Sequence, residues 1–151
     1  MTDIWLVRHG EAAASFDQDT DPPLSDLGRE QAARTAEYLS QCVSDDAKLL
    51  TSPKLRAIQT GEPFAALRES PLNGDRRFIE LPSPGALTER KEWIQRVLKV
   101  RWSELPESVH DWQRDIVATI QALQAPTVIF SHFLVINTVA AHMSGEDAVL
   151  Q

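Results

Sequence analysis

Short apolar runs alternate along the chain with longer segments in which apolar residues recur at helical spacing. Four of the runs predict strands, because they are short, rich in β-branched or aromatic residues and bounded by turn-forming residues. The predicted strands span residues 3–7, 48–51, 76–81 and 127–130. The last of them contains Val-Ile-Phe without a polar interruption, which is typical of a strand buried on both faces of a sheet.

Five segments have the pattern of helices, and two of them begin with clear signals. Ser25 or Asp26 can cap the first helix, whose inner face carries small residues. Ser52 and Pro53 form a second start signal, with serine as the cap and proline at the first helical position. The predicted helices span residues 26–43, 53–67, 88–102, 106–123 and 134–143, and the polar passage 14–23 predicts a loop.

The alternation of strands and helices predicts an α/β fold, a three-layer α/β/α sandwich with a mainly parallel central sheet. The chain has 151 residues, of which 42% are hydrophobic and 25% charged, as is usual for a globular protein with its own core. We therefore expect one domain over residues 1–151.

Charge and cysteine content narrow the possible partners. The formal net charge of −7 and the isoelectric point near 5.0 disfavour nucleic acid or an anionic membrane as a general partner, since both need a basic face. Cys42 is the only cysteine, which excludes an intrachain disulfide and fits a reducing compartment. The first residues lack the basic start of a signal peptide, so we expect a soluble, cytoplasmic protein.

Cationic and imidazole side chains follow three of the predicted strands. Arg8 and His9 come directly after the first strand and His132 after the last, while Arg56 lies in the first turn of the helix after the second. Because parallel strands end at one edge of a sheet, these side chains are expected to share one crevice, where helix N-termini also favour anions. Two arginines and two histidines there suit phosphoryl transfer without a metal.

For each of these four residues, a purely structural role is the alternative to a role in phosphoryl transfer. Arg8 and His9 can be the polar end of a buried strand, and Arg56 can belong to a surface ion pair. Against that second alternative, a cation in the first turn opposes the helix dipole unless an anion lies nearby. His132 can be a satisfied core histidine beside Phe130.

For several other residues with reactive or charged side chains, we predict structural roles. Ser52 is expected to cap a helix rather than act as a nucleophile. His110 and His142 are expected at the surface or in packing, since their spacing forms no metal motif. Core packing is expected for Trp93, Trp102 and Trp112. A solvated basic face, part of which could guide an acidic substrate, is expected for Arg90, Lys91, Arg96, Lys99, Arg101 and Arg114.

Four sequence blocks follow one another over nearly the whole chain. They are residues 7–11 (VRHGE), 23–32 (PLSDLGREQA), 51–60 (TSPKLRAIQT) and 130–132 (FSH). In this order they resemble the motifs of the histidine phosphatase superfamily, also called the phosphoglycerate mutase-like family.

The resemblance implies a role for each candidate. His9 would be the nucleophile that becomes phosphohistidine, and Arg8, Arg56 and His132 would hold the phosphate. Glu80 resembles in position the family's acid, which protonates the leaving oxygen, and its pKa is then expected above that of a free carboxyl group. Three other carboxylates compete for that role, namely Glu11, Asp17 and Asp75. No metal or cofactor is implied, because the arginines and His132 supply the positive charge.

The chain departs from the family's pattern at three places. Alanines occupy positions 12–14, where many relatives carry a hydroxyl residue and an asparagine, so fewer contacts from this loop to phosphate are expected. Phe133 stands where a glycine often follows the second histidine, which predicts a bulkier pocket roof. The chain stops at Gln151, where relatives usually continue, so we expect a histidine phosphatase-like domain without the family's C-terminal strand.

Three hypotheses of function follow from the sequence. The first is a phosphatase that uses a phosphohistidine intermediate on a phosphorylated small molecule or a phosphoprotein side chain. The second is a phosphoglycerate mutase-type phosphoryl transfer, which would need a bisphosphate cofactor. The third is a noncatalytic phospholigand-binding module.

Overall fold

The computed structural model describes residues 2–14, 19–82 and 89–149, which form four strands and five helices. The strands are β1 (Ile4–Arg8), β2 (Lys48–Thr51), β3 (Leu72–Gly74) and β4 (Thr127–Ser131). The helices are α1 (Asp26–Cys42), α2 (Leu55–Arg68), α3 (Arg90–Val97), α4 (Glu107–Gln121) and α5 (Phe133–Ser144).

The strands form one parallel sheet in the order β1-β4-β2-β3. β4 is the last strand in the sequence but lies between β1 and β2, and all its residues are buried. The register pairs Arg8 with Ser131 and Thr51 with Phe130, so β1, β4 and β2 end together. Residues that follow these strands therefore share one edge of the sheet.

Helices cover both faces of the sheet. α1 and α2 pack on one face through a core that includes Leu39, Phe64, Val128 and Phe130. α4 and α5 pack on the other face through a core that includes Ile116, Ile129 and Val135. The predicted three-layer α/β fold with a parallel sheet is confirmed.

One predicted strand was wrong. Residues 76–81 were expected to be extended, but residues 76–78 form a 3-10 turn, and the strand that pairs with β2 is β3. The turn is closed by Asp75, whose carboxylate accepts hydrogen bonds from the backbone N–H of Arg77 at 3.0 Å and from its guanidinium group. β3 was missed because Asn73 and Gly74 are typical turn residues, and pairing with β2 overrides that preference.

Several helix boundaries also differ from the prediction. α2 begins at Leu55 rather than at Pro53, because the carboxylate of Asp21 accepts the N–H of Leu55 at 2.8 Å. α3 ends at Val97 rather than at Trp102, whose buried indole lies in a separate turn. The predicted start of that helix near residue 88 and part of the predicted loop, residues 15–18, lie outside the described residues.

Two glycines bring α1 into contact with the loop that follows β1. A Cβ atom on Gly28 would lie 2.2 Å from the carbonyl oxygen of Glu11, and one on Gly10 would lie 2.7 Å from the carbonyl oxygen of Gly28. Both distances are to backbone atoms, which cannot rotate away. Because neither residue has a side chain, the loop that carries His9 can pack directly against the backbone of α1.

The variant Gly28→Ala is expected to lower the melting temperature by several degrees. Alanine favours a helix over glycine by about 1 kcal/mol, but overpacking against backbone costs about 1 to 3 kcal/mol and should outweigh that gain. Thermal unfolding followed by circular dichroism measures the difference. Gly74→Ala is the matched control, since a Cβ atom there meets nothing within 4 Å. Equal melting temperatures for the wild type and Gly28→Ala would contradict the expectation.

Candidate active site

The carboxyl edge of the sheet brings the four predicted phosphate-site residues together. Arg8 ends β1 and His9 follows it, Arg56 is the second residue of α2, and His132 joins β4 to α5. The ring centroids of the two histidines are 5.2 Å apart, with an angle of 67° between the ring planes. Residues that are distant in sequence thus form one compact cluster.

Arg56 joins the two histidines. Its Nε donates to Nε2 of His9 at 3.2 Å, and its Nη2 contacts Nδ1 of His132 at 3.4 Å. The side chain is deeply buried, since only 3% of the residue's surface is exposed. Arginine has no acceptor atom, so both histidine nitrogens must present lone pairs to it.

These contacts determine the tautomers of both neutral rings. Because Nε2 of His9 accepts a hydrogen bond, the ring proton of His9 lies on Nδ1. This nitrogen donates to the carbonyl oxygen of Gly10 at 2.7 Å. With Nδ1 of His132 as an acceptor, its proton lies on Nε2, which donates to Oγ of Ser52 at 2.8 Å. His9 therefore directs an unprotonated nitrogen into the cluster.

Burial keeps both histidines neutral. It lowers the pKa of His9 from 6.5 to about 4, with smaller contributions from the charges of Arg56 and Arg8, while the bond to Gly10 raises the pKa. It also lowers the pKa of His132 from 6.5 to about 2, and the charge of Arg56 adds to that effect. An arriving phosphate dianion would favour the protonated forms and raise both values.

Two buried hydroxyl groups support the cluster, and the sequence interpretation missed both roles. Ser52, predicted as a helix cap, is fully buried beside His132, and the N-terminal flanking residue of α2 is Lys54 instead. Thr60 accepts the N–H of Gly10 at 3.0 Å and donates to the carbonyl oxygen of Arg56 at 2.8 Å. Thr60 thus ties the loop after β1 to the first turns of α2.

Arg8 faces a cleft of about 740 Å³ that also includes His9 and residues of α1 and α3 in its walls. Its guanidinium carbon lies 4.8 Å from the centre of the Phe133 ring, a cation–π contact. The phenylalanine expected to make the pocket roof bulkier therefore also supports an arginine.

Glu80 is 6% exposed and lies in the wall of a neighbouring cavity of about 190 Å³ that it shares with Arg56. One carboxylate oxygen accepts the N–H of Leu81 at 3.1 Å, and the other accepts the N–H of Leu134 at 3.0 Å. Burial raises the pKa of Glu80, although these two bonds and the charge of Arg90 oppose it. A carboxyl group that holds a proton at higher pH than usual suits a general acid.

The competing carboxylates have other partners. Glu11 accepts a bond from Oγ of Ser25 at 2.6 Å at an exposed position. Asp75 is bonded to Arg77, which lowers the pKa of Asp75 and so disfavours the protonated form that an acid needs. Asp17 lies outside the described residues.

Of the remaining candidate residues, His110, Trp102 and Arg114 make structural contacts, whereas Arg90 lies beside the candidate site. His110 donates from Nε2 to the carbonyl oxygen of Trp102 at 2.8 Å, and Trp102 packs in a core with Trp93 and Trp112 at its margin. Arg114 forms exposed ion pairs with Glu107 and Asp111. The prediction of a solvated face fails for Arg90, because it lies in the wall of the Glu80 cavity together with Arg56.

Metal-binding clusters and membrane-spanning helices are both absent from residues 2–14, 19–82 and 89–149. No group of three or more His, Cys, Asp or Glu side chains there could hold a metal ion. Within the same ranges, none of the helices combines the length and apolar character needed to span a membrane.

Comparison with known sequences gives two matches. Residues 4–149 match the model of the histidine phosphatase superfamily (branch 1). An uncharacterised protein of Picosynechococcus sp. is 32% identical over 108 residues, which cover 70% of this chain and 61% of that protein. The chain thus spans less than two thirds of this relative's length.

Solved structures share the fold at low sequence identity. YhfR of Bacillus stearothermophilus superposes with a TM-score of 0.73 at 21% identity, over 97% of this chain and 81% of its own. A phosphoserine phosphatase of Entamoeba histolytica gives 0.71 at 19% identity, over 97% and 82%. A mycobacterial glucosyl-3-phosphoglycerate phosphatase gives 0.66 at 19% identity, over 95% and 79%. Because the match to the family model extends over residues 4–149, the chain belongs to the histidine phosphatase superfamily.

Proposed function

We propose that this protein is a phosphatase that hydrolyses a phosphomonoester through a phosphohistidine on His9. The observation that carries the proposal is the bond from Arg56 to Nε2 of His9, together with the bond from Nδ1 of His9 to Gly10. These two bonds present the nucleophilic lone pair to a buried cation, where a phosphoryl group would be both attracted and attacked. The substrate is a small phosphorylated molecule or a phosphorylated side chain of a protein.

In the first step, Nε2 of His9 attacks phosphorus. The phosphorus–nitrogen bond forms as the ester phosphorus–oxygen bond breaks, and the proton of Glu80 moves to the leaving oxygen. Arg8, Arg56 and His132 bind the nonbridging oxygens, so Arg56 exchanges its contact with His9 for one with phosphate.

In the second step, water attacks the phosphohistidine. Glu80, now a carboxylate, takes a proton from the water while the phosphorus–nitrogen bond breaks. His9 regains its lone pair and inorganic phosphate leaves. The two arginines and His132 provide the positive charge, so the proposal includes no metal and no cofactor.

The similar proteins support hydrolysis over isomerisation. Two of the solved structures that share the fold are named as phosphatases, one for glucosyl-3-phosphoglycerate and one for phosphoserine. A mutase and a noncatalytic binding module are the alternatives that the experiment must separate.

The test is phosphate release from a panel of sugar phosphates, phosphoglycerates, nucleotides and phosphohistidine protein, with His9→Ala as the blank. Release that depends on His9 supports the proposal. Conversion of a labelled phosphoglycerate to its isomer without release would indicate a mutase. Binding of inorganic phosphate or vanadate without turnover on any substrate would indicate a binding module.

The pH profile of kcat/KM on an alkyl phosphate is expected to be bell-shaped. Activity should fall below a pH near 4, where His9 becomes protonated, rather than near 6.5. It should also fall on the alkaline side once Glu80, with its raised pKa, loses the proton it donates. In Glu80→Gln the limb that belongs to Glu80 should vanish, while any limb from ionisation of the substrate's phosphate remains. An acid limb near pH 6.5 that ionisation of the substrate's phosphate does not explain would contradict the assignment of His9.

A further inference from the structure

Ser131 is a fully buried residue that the proposed chemistry does not use. It is the last residue of β4 and directly precedes His132. Side chains alternate between the two faces of a sheet, so Ser131 shares the face of Ile129. Ile129 packs there in one core with Phe78, the last residue of the turn before Glu80. The side chain of Ser131 therefore lies on the same face as the segment that carries the candidate acid.

The hydroxyl group of Ser131 holds this segment. Its Oγ donates to the carbonyl oxygen of Phe78 at 2.9 Å, and both residues are completely buried. A buried carbonyl group without a partner is costly, so the bond fixes the end of the turn against β4. Glu80 lies only two residues further along the chain, a distance of at most about 7 Å. Once Phe78 is held, the position of Glu80 has little freedom.

The backbone of Ser131 holds the candidate nucleophile. Its carbonyl oxygen accepts the N–H of His9 at 3.0 Å, and Ser131 pairs in register with Arg8. Ser131 thus bonds to the nucleophile's residue through its main chain and to the acid's segment through its side chain. In an in-line displacement the attacking nitrogen and the leaving oxygen lie on opposite sides of phosphorus. The separation between His9 and Glu80 therefore has to match the phosphoryl group that reacts between them.

The carboxylate of Glu80 is bonded to the same junction between β4 and α5. One of its oxygens accepts the N–H of Leu134 at 3.0 Å, three residues after Ser131. This bond involves the group that gives up and regains a proton in the proposed reaction. The bond from Ser131 to Phe78 leaves both carboxyl oxygens out, so it can hold the segment in either protonation state.

We infer that Ser131 is a positioning residue that sets the place of Glu80 relative to His9 for proton delivery. This inference rests on the proposed phosphatase function. Ser131 then acts through Glu80, so its loss should matter most for substrates whose leaving group needs a proton. The alternative is a bond that only stabilises the turn of residues 76–78, which would favour no type of substrate.

The variant Ser131→Ala removes the hydroxyl group and little else. It is compared on p-nitrophenyl phosphate and on the sugar phosphate or phosphoglycerate that the wild type hydrolyses fastest. In kcat/KM the alkyl phosphate should slow by about 10- to 100-fold, since a displacement of about 1 Å at a reacting group can cost that much. The p-nitrophenyl ester should stay within about 3-fold, because its leaving group hardly needs the acid.

The variant Thr127→Val is the matched control. Thr127 lies at the other end of β4, is buried, and donates to the carbonyl oxygen of Ala125 at 2.8 Å. This variant should keep the wild-type ratio between the two esters. Ser131→Cys keeps a weaker donor of similar size and should give an intermediate ratio. If Ser131→Ala does not fold, Ser131→Cys and the control still decide the question.

A double variant tests whether Ser131 acts through Glu80. With Glu80→Gln in place, adding Ser131→Ala should slow the alkyl phosphate by less than about 3-fold, because the acid is already absent. Losses that multiply in the double variant would overturn the inference and leave the phosphatase function intact. Unchanged rates in Ser131→Ala, or equal slowing of both esters, would also overturn it. Failure of the wild type to release phosphate from any ester would overturn the proposed function as well.

Discussion

Replacing His9 with alanine should abolish the covalent phosphoenzyme and lower the rate of hydrolysis by about 10⁵- to 10⁶-fold. The other histidine of the cluster is not expected to replace it, because Nε2 of His132 carries the ring proton and donates it to Ser52, so that this nitrogen has no lone pair for attack. The alanine variant should still fold, since His9 is only half-buried.

The measurement is acid-labile, base-stable label on the protein after rapid quenching with a phosphorylated substrate. His142→Ala is the matched control, because His142 is exposed near the end of α5. Wild type and control should carry the label, and His9→Ala should not. Full labelling of His9→Ala would remove His9 from the nucleophile's role and point to another residue in the cluster.

The second large effect is expected for Glu80→Gln. Hydrolysis of alkyl phosphates should slow by about 10²- to 10⁴-fold, because an alkoxide leaves poorly without a proton. In kcat/KM, which reports formation of the phosphoenzyme and not its later hydrolysis, the reaction of p-nitrophenyl phosphate should slow much less, since its phenolate leaves readily. The difference between the two substrates is the informative quantity, because a merely structural role would affect both alike.

Asp75→Asn is the control for this variant, as it removes a competing carboxylate that is bonded to Arg77. It should leave both substrates unaffected. Glu80→Gln also weakens one of the two bonds to backbone N–H groups at Leu81 and Leu134, which should lower stability by about 1 kcal/mol. Thermal unfolding of the variant checks that cost separately from the rates. Equal slowing of both ester types would contradict the acid role.

The sequence predicted well what depends on local pattern. The runs that form β1, β2 and β4 are short and apolar, and Ser25 caps α1 by accepting the N–H of Gly28 at 3.0 Å, as expected. The parallel arrangement then places Arg8 and His132 at one edge without further information. Local pattern could not predict β3, whose three residues adopt a strand only because β2 offers a partner.

Site residues were missed where a side chain acts through tertiary contacts. Arg90 belongs to a helix in which half of the residues are charged, and only the packing of α3 shows that this cation lines the same cavity as Glu80. Thr60 carried a weak signal, since its position four residues after Arg56 allows its hydroxyl group to bond the Arg56 carbonyl. Nothing in the sequence indicated that the same hydroxyl group also holds Gly10.

The central position of β4 has a consequence for how activity arises during synthesis. Until this late strand inserts between β1 and β2, the described parts of those two strands share no hydrogen bonds, and His132 has no place beside His9. Closing contacts between opposite ends of a chain is slow and entropically costly. A partly translated chain that lacks β4 therefore lacks His132 at this edge, and it is expected to bind phosphate more weakly than the chain in which β4 has entered the sheet.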